Sequence, residues 1–185
     1  MKQLLAILLF MCSANVIAQN NKQERFETTG PQKGFKILVE GGYGVGSGLY
    51  GEERISFMAS IGYRFNPFIY AGVGSGENYF TSSEKYGIPL YATIRANFLN
   101  IGVSPYFDVK VGYSIADVKG LYLAPSVGCR WGFTDNIAFT ASMGYELQRT
   151  DCYTAIIDLN NPNDAIINNS KRNLGALNIK IGFEF

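Results

Sequence analysis

The last nine residues of the chain alternate strictly between apolar side chains and polar or small ones. They read Leu177-Asn178-Ile179-Lys180-Ile181-Gly182-Phe183-Glu184-Phe185. Successive side chains of a β-strand point to opposite faces, so a period of two predicts a strand with one apolar and one polar face. This stretch decides the fold class, because the same alternation recurs along most of the chain.

Seven further segments alternate in the same way and are predicted to be strands. In chain order they cover residues 35–46, 54–65, 68–76, 88–98, 105–114, 120–133 and 137–148, and the C-terminal strand covers residues 173–185. The segment 68–76 is small or apolar on both faces, and we assign Ile69, Ala71 and Val73 to its apolar side. From residue 35 onward no helical period of 3.6 residues competes, so the sequence predicts an all-β fold.

The connections between the predicted strands alternate in length. Short turns cover residues 66–67, 99–104 and 134–136, and longer loops cover residues 47–53, 77–87 and 149–172, with 115–119 as a short exception among the long ones. Short turns at one end and longer loops at the other are typical of outer-membrane barrels. We therefore predict one domain over residues 35–185, an eight-stranded antiparallel up-and-down transmembrane β-barrel.

The composition of the 185-residue chain excludes several classes of function. Charged residues make up only 17% of the chain, and 16 basic residues are balanced by 15 acidic ones. This gives no electrostatic basis for binding nucleic acid. The chain has no histidine, which excludes Ser-His-Asp and Cys-His nucleophiles and histidine-ligated zinc. We therefore expect neither an enzyme nor a nucleic-acid partner.

Two glycine-rich segments, residues 42–48 and 72–76, invite comparison with phosphate-binding loops. Such a loop needs a helix N-terminus after it and either a Lys-Ser/Thr pair or the G-x-G-x-x-G spacing, and neither segment has these features. The polar stretch around Asn160, Asn161 and Pro162 has turn chemistry and departs from the calcium-binding EF-hand pattern. We therefore expect no cofactor and no metal ion.

The N-terminal segment has the features of a secretory signal peptide. Lys2 provides a basic start, residues 4–11 form a short apolar centre, and the segment ends in small residues at Ala18. We predict a signal peptide over residues 1–18 that is removed after Ala18. The polar residues 19–34 are then expected to form a flexible periplasmic lead before the barrel.

The alternating strands fit either a water-soluble barrel with its apolar face inward or a membrane barrel with that face toward lipid. The polar face is rich in Gly, Ser and Tyr, and small residues of this kind suit a crowded lumen. Charged groups in such a lumen have to pair, because an unpaired buried charge costs several kcal/mol. Besides Lys36, the residues predicted to form a lumen charge network are Glu40, Arg54, Arg64, Arg95, Asp108, Lys110, Arg130, Glu146, Lys180 and Glu184.

The positions of the aromatic residues favour the membrane barrel. Such a barrel carries rings where its apolar band meets each interface. The rings predicted at the short-turn end are Phe35, Phe65, Phe98, Phe107, Trp131, Phe133, Phe183 and Phe185, and those predicted near the other end are Tyr43, Tyr113 and Tyr145. The interior of a soluble protein has no reason to concentrate aromatic residues at its rims.

Several short sequence phrases resemble the small eight-stranded outer-membrane barrels of Gram-negative bacteria. They are similar to the version common in Bacteroidetes, the outer-membrane-protein beta-barrel domain family, over about residues 35–185. The phrases are Ile88-Pro89-Leu90-Tyr91 followed by Arg95, Ser104-Pro105-Tyr106-Phe107, and Pro125-Ser126-Val127-Gly128.

The resemblance also implies a role for the C-terminal strand. In such families the terminal strand and its aromatic end form the sorting signal that the barrel assembly machinery reads. Here Phe183 and Phe185 are the matching residues. Gly182 lies two residues later than the glycine of the usual proteobacterial pattern, where this chain has Lys180.

The last long loop carries the strongest candidate for an interaction site. Its apolar residues flank a turn, so the last two strands can continue as a hairpin above the membrane. An exposed edge there could accept a strand from a partner, and packing against neighbouring loops is the alternative. The residues of this interaction hairpin are Tyr153, Ile156, Ile157, Ile166 and Ile167.

Three functions are compatible with these sequence features. The first is a monomeric outer-membrane barrel with a filled polar lumen and a structural or surface-interaction role. The second is a narrow pore or transporter for small solutes, and the third, less favoured, is a barrel enzyme acting on lipid. The expected partners are outer-membrane lipid, the barrel assembly machinery during biogenesis, and an extracellular protein bound through the loops.

Overall fold

The computed structural model describes residues 30–48, 51–134, 136–157 and 165–185. The predicted signal peptide and most of the predicted lead lie outside these residues. The strands are β1 (Gly34–Ser47), β2 (Arg54–Arg64), β3 (Ile69–Phe80), β4 (Lys85–Asn97), β5 (Val103–Ala116), β6 (Gly120–Gly132), β7 (Ala138–Ile157) and β8 (Ala165–Glu184). The described part of the chain contains no helix long and apolar enough to span a membrane.

The strands form a closed antiparallel barrel. Each strand pairs with the next along the chain, and β8 pairs with β1. This confirms the predicted all-β fold of eight antiparallel strands. Following paired residues once around the barrel from Gly34 leads back to β1 at Gly44, ten residues further along. A barrel of eight tilted strands has an interior just wide enough for its own side chains to fill.

The two faces of the strands differ in exposure. Large apolar side chains on the outer face, such as Ile61 and Ile94, are more than half exposed, whereas the inward positions beside them are buried. The assignment of β3 follows the same rule, because Ile69 and Val73 face outward and Tyr70 is buried inside. The barrel is therefore apolar outside and mainly polar inside.

The prediction of a long loop over residues 77–87 is wrong. β3 continues to Phe80 and β4 begins at Lys85, with Tyr79 opposite Tyr86, so only residues 81–84 connect the two strands. Glu77 interrupts the outward apolar row in the sequence, yet it is an exposed residue within β3. Ladder hydrogen bonds join backbone groups, so one exposed charged side chain does not end the pairing.

β7 and β8 pair with each other well beyond the barrel. The pairing of β7 with β6 ends at Gln148, and that of β8 with β1 ends at Gly175. Within the described part of the chain, residues 149–157 and 165–173 pair only with each other, as far as Ile157 opposite Ala165. Much of the loop predicted over residues 149–172 is therefore a two-stranded ribbon with two open edges.

Candidate functional site

The charged residues of the strands lie together inside the barrel. Each of the ten residues predicted to form the lumen network is at most 4% exposed. The structure joins them by ion pairs in three groups, stacked from the short-turn end of the lumen to the long-loop end.

The first group lies at the short-turn end and is built on Glu184 of β8. Arg64 of β2 donates from Nη2 to Glu184 Oε2 at 2.6 Å. Arg130 of β6 donates from Nε to Glu184 Oε1 at 3.2 Å. One carboxylate thus accepts hydrogen bonds from two arginines that come from different sides of the barrel.

The second group lies in the middle of the lumen and contains two acids and two bases. Glu40 pairs with Arg95 Nη2 at 2.7 Å and with Lys110 Nζ at 2.8 Å. Asp108 pairs with Lys110 Nζ at 2.6 Å and with Arg95 Nη2 at 3.5 Å. Thr93 also donates from Oγ1 to Asp108 Oδ1 at 2.6 Å. Each base bridges both acids, so this group is balanced in charge.

The third group surrounds Glu146 near the long-loop end. Arg54 Nη1 and Lys180 Nζ each lie 3.2 Å from a Glu146 carboxylate oxygen. Two amides complete the shell: Asn78 Nδ2 donates at 2.8 Å and Asn178 Nδ2 donates at 3.3 Å. All four partners lie on strands other than β7, which carries Glu146.

Neutral polar residues that the charge pattern did not reveal also belong to the lumen. Thr93, Asn78 and Asn178 hydrogen-bond to the buried carboxylates, and Gln148 Nε2 donates to the Val118 carbonyl oxygen at 2.7 Å. The alternation of the predicted strands places Thr93, Gln148 and Asn178 on the inner face, so the phase of the strands, and not charge, is the signal that finds them. Asn78 lies in the segment 77–87 that the sequence predicts as a loop, and the alternation finds it only when β3 is extended to Phe80.

Inward-facing glycines make room for large rings in the lumen. A Cβ atom added at Gly74 would lie 2.7 Å from Tyr91 Cζ, and one added at Gly128 would lie 2.7 Å from Tyr106 Cζ. The Arg95 guanidinium lies 4.1 Å from the centroid of the Tyr106 ring, a distance at which a cation and an aromatic face attract each other. Two lumen tyrosines thus pack against glycines, and one of them also packs against an arginine.

The lumen carries more positive than negative charge. Among the side chains that the structure describes, seven buried bases and four buried acids face inward, an excess of three positive charges. Arg54 is fully buried, and its guanidinium also lies 4.7 Å from the Phe80 ring centroid. The positive charge of the buried bases is therefore compensated both by ion pairs and by aromatic faces.

The outer face carries the predicted aromatic rings. Phe35 is 79% exposed at the short-turn end, where its ring contacts Tyr63 edge-on at 5.1 Å. A second chain of rings at this end runs from Trp131 through Phe139 and Phe183 to Phe185. Tyr43, Tyr113 and Tyr145 are exposed on the outer face nearer the long loops.

The C-terminal residues of the assembly-signal prediction lie at the seam of the barrel. Phe183 and Phe185 are about half exposed on the outer face. The Phe185 backbone exchanges two hydrogen bonds with Ile37 of β1, with N···O distances of 2.9 and 3.1 Å. The last residue of the chain therefore takes part in closing the barrel.

The predicted interaction hairpin corresponds to the ribbon of β7 and β8. The backbone of Tyr153 pairs with Asn169, and that of Ile156 with Ile166. Ile157 and Ile167 belong to the same paired strands, and residues 158–164 lie outside the described residues. The structure thus brings the five residues into one backbone ribbon and describes nothing of their side chains.

The described residues contain no group of three or more histidine, cysteine, aspartate or glutamate side chains that could hold a metal ion. The acids of the lumen are separated into the three groups and bonded to bases. Their contacts in the structure are ion pairs and hydrogen bonds within the lumen.

Solved structures with a similar fold include three small barrels. Neisserial surface protein A matches over 81% of this chain and 95% of its own, with 16% identity and a TM-score of 0.58. The N-terminal β-barrel domain of Pseudomonas aeruginosa OprF matches over 83% and 100%, with 14% identity and a TM-score of 0.48. A de novo designed transmembrane β-barrel matches over 84% and 98%, with 15% identity and a TM-score of 0.46. No protein-family model and no curated protein sequence matches the chain.

The similarity to Neisserial surface protein A, at 16% identity, shows the fold alone. The Bacteroidetes-type family is supported by no matching family model and stays a prediction. The chain is a closed, eight-stranded antiparallel β-barrel, and it shares this fold with a small barrel of the outer membrane.

Proposed function

We propose that this chain is an integral outer-membrane β-barrel without enzymatic activity, whose lumen is filled by its own polar side chains. Its role is structural or based on surface interactions, and the ribbon of β7 and β8 is the interaction element. The assembled barrel lies in outer-membrane lipid as a monomer after removal of the signal peptide.

The outer face supports the location in a membrane. Its exposed residues are mainly large and apolar, and aromatic rings border this apolar surface at the short-turn end. In water such a surface would be an aggregation hazard, because soluble monomers rarely expose apolar patches larger than a few hundred Å². In a membrane, lipid covers the whole apolar surface.

The ion pairs inside the barrel are the observation that supports a plugged lumen. Charged side chains are buried at the short-turn end, in the middle and near the long-loop end, and each of the three groups is joined across the lumen by ion pairs. A continuous water path would have to break these contacts at three successive levels. This favours a closed barrel over a narrow pore or transporter.

Conductance across a planar lipid bilayer tests the plugged lumen. The refolded wild-type barrel is expected to give no stable single-channel currents. A double variant, Arg95→Ala with Lys110→Ala, removes the two bases of the middle group and serves as a comparison in which more space is open. Stable and uniform currents from the wild-type protein would favour the pore and contradict the plugged barrel.

The open edges of the ribbon support its role in surface interactions. Among the residues that the structure describes, the backbone of residues 149–157 of β7 pairs only with β8, so its other edge is open to a further strand. An extended segment of another protein can add to such an edge as a further strand.

Trimming residues 153–169 tests this role, because the described residues of this segment pair with neither β1 nor β6. Replacing it by an Asn-Gly turn should leave the barrel intact and abolish binding or adhesion at the cell surface. A matched control replaces residues 81–84, the turn between β3 and β4, by the same dipeptide. Unchanged binding after the first replacement would contradict the role of the ribbon.

A further inference from the structure

A groove of about 730 Å³ crosses the outer face of the barrel over β2, β3 and β4. Most of the residues that line it face outward, and three of these are small: Ala59, Ser75 and Ala92. Ser75 lies opposite Ala59 in the register of β2 and β3. Larger residues that are about half exposed, such as Ile61 and Leu90, border them. The small residues thus leave a depression in a surface that is otherwise formed by large apolar side chains.

Glu77 lies at the end of this groove that is nearer the long loops. It follows Ser75 on the same face of β3, about 7 Å further along the strand. In the parts of the eight strands that close the barrel, Glu77 is the only charged residue at an outward position. Its carboxylate has no ion pair or hydrogen bond with any residue that the structure describes. A charged group on a face that otherwise contacts lipid therefore lacks a partner within the described chain.

Three aromatic rings lie near Glu77 on the same face. Phe57 of β2 is directly opposite it and is 60% exposed. Tyr79 is the next outward residue of β3, and its ring packs against that of Tyr86 with 5.0 Å between the centroids. Tyr79 also belongs to the same row of paired residues as Tyr43, one of the outward rings nearer the long loops. Glu77 is thus one outward position below this row, where a carboxylate beside aromatic faces suits an ammonium group.

We propose that this part of the outer face binds one lipid whose head group carries a primary ammonium, as in phosphatidylethanolamine. The ammonium pairs with the Glu77 carboxylate near the membrane interface, and one acyl chain lies in the groove beneath it. The proposal rests on the proposed position of the barrel in outer-membrane lipid. Glu77 selects the head group, because it attracts an ammonium and repels an anionic head group such as that of phosphatidylglycerol.

Competition between two lipids tests this site. The refolded wild-type barrel in detergent micelles receives equal amounts of phosphatidylethanolamine and phosphatidylglycerol with the same acyl chains. Native mass spectrometry then measures which lipid stays bound to the protein. The first bound lipid should be phosphatidylethanolamine in excess by roughly three- to tenfold, the size of effect that an exposed ion pair and a cation–π contact give together.

Two variants locate the effect at the site. Glu77→Gln keeps the shape of the side chain and removes its charge, so the two lipids should bind equally. Glu84→Gln is its matched control, because Glu84 is an exposed acid in the turn beyond β3, and it should keep the preference. Ala92→Leu fills the groove and should lower the bound amount of both lipids. Ala141→Leu is the control for this change, since Ala141 is an outward alanine on β7 and does not line the groove.

Three results would overturn the proposal. They are equal binding of the two lipids by the wild type, a preference that persists in Glu77→Gln, and unchanged lipid binding in Ala92→Leu. The same samples are run on a gel with and without boiling. A protein whose mobility does not change on boiling would contradict the membrane barrel itself, whereas a barrel that shows the change and has no lipid preference would contradict the lipid site alone.

Discussion

Arg64 and Glu184 form an ion pair that spans β1 at the seam where the barrel closes, with 2.6 Å between Arg64 Nη2 and Glu184 Oε2. Arg64 ends β2 and Glu184 ends β8, and β1 lies between these strands. The same carboxylate reaches Arg130 on β6. One buried side chain therefore connects the last strand with both halves of the barrel.

Removing this carboxylate should destabilise the barrel strongly. Glu184→Ala leaves two buried guanidinium groups without their shared acid, and breaking a buried pair in this way costs about 3–5 kcal/mol. Urea unfolding of the refolded barrel in lipid vesicles measures the change. Glu84→Gln, at an exposed turn position, is the control and should change the free energy of unfolding by less than about 0.5 kcal/mol. A similar small change for Glu184→Ala would contradict the importance of the pair.

An added methyl group should destabilise the barrel at an inward-facing glycine and not at an outward-facing one. In Gly74→Ala the new Cβ would lie 2.5 Å from the Ala59 carbonyl oxygen and 2.7 Å from both Ser60 Cβ and Tyr91 Cζ, and such overpacking costs typically about 1–3 kcal/mol. A Cβ at Gly41 would meet nothing within 4 Å, so Gly41→Ala should be neutral or slightly stabilising. The same unfolding measurement compares the two variants, and equal effects would contradict the tighter packing of the inner face.

A charged residue introduced on the outer face tests whether that face is in contact with lipid or with water. Ile181 is 58% exposed and lies between the rings at the C-terminal end and the pair of Leu177 with Tyr145. Lysine near the middle of a bilayer costs about 2–4 kcal/mol, and near the interface about 0–1 kcal/mol. Ile181→Lys should therefore destabilise the barrel in vesicles far more than Phe35→Lys at the rim. If both changes were neutral, the outer face would be in contact with water.

The terminal aromatic residue should matter more for assembly than for stability. Phe185→Ala is expected to lower the amount of folded barrel in the outer membrane of expressing cells, since the assembly machinery would read a weakened C-terminal strand. Phe133→Ala is the matched control, because Phe133 is an equally exposed ring at the same end and is not part of the terminal strand. Equal amounts of folded barrel for the two variants would contradict an assembly role for Phe185.

The alternation of side chains predicts most of this fold and the inner face of every strand. β2 and β6 differ from their predicted bounds by a single residue at one end, because their alternation is regular and ends at turn residues. The predicted β3 and β4 are too short, since Glu77 breaks the apolar row while its backbone remains paired. A boundary set by backbone pairing is not visible in side-chain polarity.

The partners within the lumen could not be predicted from the sequence. Glu184 meets Arg64 and Arg130, which lie 120 and 54 residues away along the chain. Their meeting depends on the stagger of the strands, which sets the height of each residue, and on the length of the arginine side chain. The alternation identifies which residues share the lumen, and the closed register decides which of them touch.

Electrophoretic mobility tests most directly whether the chain folds as a barrel in the membrane. The refolded protein in detergent is loaded on a gel containing dodecyl sulfate, with and without boiling. A closed barrel of eight hydrogen-bonded strands should resist dodecyl sulfate at room temperature, so the unboiled sample should migrate differently from the boiled one. Identical migration of the two samples would contradict the membrane barrel.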